Sequence, residues 1–64
     1  MSMTLKQARL INELTLANVA EKVGKTPQTV SAWENGIQSI SAEDYLKLCS
    51  LYKMQSLILP KKSS

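Results

Sequence analysis

The sequence predicts an all-α fold, a compact bundle of four to five short helices, and three observations predict it. Apolar residues recur at helical spacing in successive windows. A serine or threonine stands before each window, placed to cap a helix. Two glycines and two prolines leave few of the turns that a sheet of many short strands requires. With 64 residues the chain holds one domain, assigned to residues 1–59, followed by a flexible polar tail over 60–64.

Thr4 caps a first helix that runs to about Asn12, with Leu5, Ala8, Leu10 and Ile11 as its apolar positions and Lys6, Gln7 and Arg9 between them. Leu14 turns into the core. Thr15 caps the second helix, where Leu16, Val19, Ala20 and Val23 form one stripe at i, i+3, i+4 and i+7, and Gly24 stops it. Thr26 caps the third, and Pro27 suits its first position because a first-turn residue needs no amide hydrogen. Asn35 and Gly36 end that helix, both being residues that tolerate the left-handed backbone of a helix terminus.

After a loop over 37–40, Ser41-Ala42-Glu43-Asp44 resembles a capping box with Asp in place of Glu. The fourth helix therefore starts at Ala42, with Tyr45, Leu48, Cys49 and Tyr52 inward and Leu46 and Leu51 at the edges of the stripe. Residues 54–59 are read as a short fifth helix or an extended strand, since six residues ending at Pro60 do not define a period.

Eight Lys and Arg against five Asp and Glu give a net charge of +3, compatible with an anionic partner and equally with ordinary solubility. The single cysteine, Cys49, has no internal partner, so the core must hold by packing alone, as in a reducing compartment. A cytoplasmic location is expected. The N-terminus lacks the apolar stretch of a signal peptide, and the longest apolar run, Leu57-Ile58-Leu59, is far too short to span a bilayer, so no membrane partner is expected.

No enzyme is expected either. The chain has no histidine, its one cysteine is assigned to the core, and no spacing suits a metal, so neither metal nor cofactor is predicted. Glu43 and Asp44 are neighbours on a helix and diverge, which suits capping charges better than a catalytic pair.

The informative feature is the pair of short helices at 15–23 and 27–35, joined by a tight turn that contains Gly24. Ala20 is small where the two would cross, and Val30 and Trp33 would point from the third helix into a shared core. The i+3 relation of Trp33 to Val30 assigns the indole to packing rather than to stacking on a base.

The run Leu14-Thr15, Val19-Ala20-Glu21-Lys22-Val23-Gly24 and Thr26-Pro27-Gln28-Thr29-Val30-Ser31-Ala32-Trp33-Glu34-Asn35-Gly36, with the later Leu46-Lys47-Leu48, resembles the phage repressor and Cro family of helix-turn-helix domains. The resemblance covers about Leu5 to Met54. It implies a lambda-repressor-like bundle that regulates transcription in a bacterial or phage-infected cell by sequence-specific binding of double-stranded DNA. The third helix would lie in the major groove.

The same resemblance implies a structural salt bridge between Arg9 and Glu34. It makes Pro27, Gln28, Thr29, Ser31 and Ala32 the base-contact positions, led by Gln28, whose amide can pair bidentately with adenine. Phosphates would meet Thr15 and Leu16 at the start of the second helix, and also Asn35, Lys25, Lys6 and Lys22. A homodimer on a roughly palindromic operator is the implied assembly.

The contact face departs from the family pattern. Leu16 stands where many relatives carry glutamine, Ala32 replaces a frequent long polar residue, Pro27 offers a base no polar group, and the loop at 37–40 lacks basic residues. Weak binding by a monomer, with a shallow salt dependence, is the expectation. The alternative is an interaction module that keeps the helix-turn-helix scaffold and modulates another regulatory protein. Leu57, Ile58 and Leu59 are the candidate dimer or partner surface, unless they finish the core.

Overall fold

A computed structural model describes residues 3–60. The last four residues of the expected tail lie outside the described residues, as do the first two of the chain. Four helices follow in order: α1 (Leu5–Ile11), α2 (Leu16–Val23), α3 (Pro27–Glu34) and α4 (Ala42–Tyr52).

Each helix starts on an extended residue whose hydroxyl accepts the amide hydrogen of the residue three further on, the donor that helical geometry leaves without a partner. The cap hydroxyls are those of Thr4, Thr15, Thr26 and Ser41. In α1 and α2 the box is reciprocal, because the Thr4 and Thr15 amides donate to the side-chain oxygens of Gln7 and Asn18, at 3.0 and 3.1 Å. In α4 it is not. The shorter Asp44 takes a hydrogen bond from the Ser41 hydroxyl at 3.0 Å instead of reaching the Ser41 amide.

All four helices also end alike. One residue turns left-handed, Glu13, Gly24, Gly36 or Lys53, with φ of 57, 72, 72 and 57°. The next amide then donates to the carbonyl five residues back: Leu14 to Arg9, Lys25 to Ala20, Ile37 to Ala32 and Met54 to Cys49. Asn35, assigned with Gly36 to this left-handed role, has φ of −95°, so Gly36 alone makes the reversal.

The core gathers Leu5 and Ala8 from α1, Val19, Ala20 and Val23 from α2, Val30 and Trp33 from α3, and Leu48, Cys49 and Tyr52 from α4. Helix α2 packs on α3 and α4, and α1 packs on α3. The apolar reading of α1 needs correction. Leu10 and Ile11 are 55% and 65% exposed, and the buried face is Leu5, Ala8 and Arg9, because a helix that buries positions 5 and 8 also buries 9 and turns 10 and 11 outward. Along α4 Tyr45 is half-buried, and Leu46, placed at the stripe's edge, faces solvent.

Residues 54–59 form neither a fifth helix nor a strand. The segment runs back to the chain's start, where the Ile58 amide donates to the Met3 carbonyl at 2.8 Å in one isolated parallel bridge between Thr4 and Ile58. The Tyr45 hydroxyl latches it, accepting from the Leu57 amide at 2.8 Å and donating to the Leu57 carbonyl at 3.2 Å. Leu57 is thereby a core residue and drops out of the candidate dimer or partner surface, whereas Ile58 and Leu59 stay exposed. No helix among the described residues is long and apolar enough to cross a membrane.

Candidate nucleic-acid interface

Helix α3 shows its chemistry on the face turned away from the core. Burying Val30 and Trp33 leaves Gln28 and Asn35 exposed and Ser31 and Ala32 half-exposed on the other side. The turn from α2 brings this face beside Leu16. Gly24 makes that turn by its backbone, not by its size: a Cβ built on it meets no atom within 4 Å, but its φ of 72° disfavours a side chain.

Together Leu16, Pro27, Gln28, Ser31, Ala32 and Ile37 line an open depression of about 440 Å³. Ile37 was not among the predicted contact residues, and it is 69% exposed. The signal for it lay in Asn35-Gly36-Ile37: a left-handed glycine at a helix end folds the following apolar residue back on the last turn, here through the Ile37 amide and the Ala32 carbonyl, 2.9 Å apart.

The predicted base-contact side chains differ in what already occupies them. The Thr29 hydroxyl lies 3.0 Å from the cap hydroxyl of Thr26, and the Thr29 amide donates to that cap at 3.2 Å. Ser31 receives the Asn35 side-chain amide on its carbonyl at 2.9 Å and on its hydroxyl at 3.3 Å. The Gln28 amide has no hydrogen-bond partner among the described residues and stands exposed at the lip of the depression.

The predicted phosphate-contact residues also separate. Thr15 is engaged with Asn18 in its capping box, which leaves the first-turn amides of Leu16 and Ala17 as outward donors at the positive end of α2. Lys25 sits 3.8 Å from the largely buried carboxylate of Asp44, a loose pair in competition with any phosphate. Lys6 and Lys22 are exposed and enter no ion pair among the described residues.

Beneath the face, the Arg9 guanidinium grips the Glu34 carboxylate. Nε donates to Oε2 at 2.7 Å, Nη2 to Oε1 at 3.2 Å, and Nη1 to the Leu14 carbonyl at 3.1 Å. The hydrogen bonds to Glu34 raise the guanidinium pKa further, against the opposing pull of burial. Nearby, burial pushes the Tyr52 phenol up to about 12, with the Glu34 charge adding to it and Arg9 opposing. The Tyr52 hydroxyl and the Trp33 ring nitrogen are both buried without a hydrogen-bond partner among the described residues.

No group of three or more His, Cys, Asp or Glu side chains gathers among the described residues as a metal site would. A family model described as helix-turn-helix matches residues 5–57, most of the chain. No curated protein and no solved structure matches it.

Proposed function

Because the chain belongs to the helix-turn-helix family of the phage repressor and Cro type, a family of DNA-binding regulators, we propose that it is a sequence-specific transcriptional regulator that lays α3 in the major groove of an operator. The observation that carries the reading is Gln28, exposed and unengaged on the outer face of a helix whose inner face is locked by Val30 and Trp33. Pro27, Ser31 and Ala32 approach the same base edges, and Thr29 meets them through its methyl. The Leu16 and Ala17 amides, Asn35, Lys6 and Lys22 hold phosphates and set the register, with Lys25 joining when it leaves Asp44.

As a homodimer the protein sets two α3 helices one DNA turn apart, about 34 Å, on a roughly palindromic site in a bacterial or phage-infected cytoplasm. Few basic residues flank the face, so a monomer binds weakly and loses affinity only gradually with salt. A mobility-shift assay with mixed duplex DNA at low salt tests the reading. Retarded duplex is expected.

The exposed Ile58 and Leu59, with Ile37, favour a second reading, an interaction module that modulates another repressor without strong DNA binding of its own. No retardation at high protein concentration in the same assay selects it.

A further inference from the structure

The depression beside α3 carries a base preference, an inference that rests on the DNA-binding reading above. None of its lining residues is Arg or Lys, the side chains that pair bidentately with guanine, and none is Asp or Glu, which accept from the cytosine amino group. Gln28 is the one lining side chain whose amide sets a donor and an acceptor side by side, which is the pattern of adenine, whereas the Ser31 hydroxyl, already taken by Asn35, suits either kind of base pair. Apart from Ser31, the other walls of the depression, Leu16, Pro27, Ala32 and Ile37, are apolar. The major groove has one apolar group to offer such walls, the 5-methyl of thymine.

We infer that these four residues form a thymine-methyl slot beside the adenine-reading Gln28, so that A·T pairs specify the base positions under α3. Charge suits this occupant. All five Asp and Glu side chains lie outside the lining, and Glu34, Asp44 and Glu43 are each paired with a cation, so no side chain in the slot repels a polyanion. Geometry suits it as well, because the bond from the Ile37 amide to the Ala32 carbonyl fixes the exposed wall of the slot before DNA arrives.

The test starts from sites selected by the full chain out of a random duplex pool at low salt. Thymines in a selected site are then replaced one at a time by deoxyuridine, which deletes the methyl and keeps the base pairing. A·T enrichment under α3 is expected, with a loss of about fourfold for each uracil that faces the slot, the value of one buried methyl. Uracil at base pairs that α3 does not face leaves binding unchanged. Ile37→Ser, at an exposed side chain, brings the thymine-to-uracil ratio toward one.

Selected sites with G·C at these positions, or a ratio of one in the unaltered protein, overturn the slot and leave DNA binding standing. Failure to retain any duplex at low salt overturns DNA binding itself, and the slot with it.

Discussion

Arg9, on the first helix, and Glu34, at the end of the third, face each other in two parallel hydrogen bonds with their side chains only 10% and 6% exposed. The third contact of the guanidinium, to the Leu14 carbonyl, ties the turn before α2 into the same knot. One side chain thus sets α1, the entry to α2 and the end of α3 relative to one another. In so dry a place the attraction largely repays the desolvation of two charges, so the pair contributes more to orientation than to net stability.

Breaking the pair from one side should therefore be costly. Arg9→Ala or Glu34→Ala is expected to lose about 3–5 kcal/mol, because the surviving charge stays buried without a partner. Arg9→Met combined with Glu34→Leu should come out near neutral. Urea unfolding followed by circular dichroism measures all three, and small losses in both single variants would mean that water already screens the pair.

The two left-handed residues that are not glycine offer the opposite sign. Glu13→Gly and Lys53→Gly should each stabilise the fold by up to about 1 kcal/mol, since the side-chain strain that they relieve exceeds the backbone entropy that glycine adds. Gly24→Ala should cost up to about 1 kcal/mol on the same balance of strain against backbone entropy, with no steric clash to add to it. Shifts in Tm report each change. A neutral Gly24→Ala would count against the strain argument.

Tyr52 gives the fold an alkaline limit. Its phenol holds its proton up to about 12, above the ordinary value of 10.0, so the unfolded chain ionises first. The stability that this residue contributes is whole below pH 10 and is lost as pH rises toward 12. Tyr52→Phe should flatten the fall. An unchanged alkaline transition in that variant would assign the loss to other groups.

Much of this architecture was legible in the chain itself, for local reasons. Thr4, Thr15, Thr26 and Ser41 cap helices through contacts within three residues, so sequence spacing carries their signal. The Gln28 face was legible too, as the complement of the face holding Val30 and Trp33. Leu10 and Ile11 misled because a charged side chain, Arg9, takes the buried position beside them, and only Glu34, 25 residues away, makes that tolerable. Residues 54–59 were unreadable for a similar reason: their conformation is set by Tyr45 and Met3, not by their own period.

On DNA, Gln28 and Lys22 should fail differently. Gln28→Ala is expected to cost about 1–3 kcal/mol on a selected site and to relax preference at one base pair, with little change on random duplex. Lys22→Ala should weaken all sequences alike and reduce the slope of log affinity against log salt by about one. Binding titrations over a range of salt separate the two. Equal losses on selected and random DNA for Gln28→Ala would remove it from the base-reading role.

The bridge from Ile58 to Met3 closes the described chain nearly into a ring, since residues near its two described ends share one hydrogen bond. A host protein could carry this unit as a guest inserted in one of its own surface loops, entering and leaving through a single narrow neck. Joining the two ends by a short linker and opening the chain elsewhere, for example within the loop at 37–40, should likewise preserve the fold.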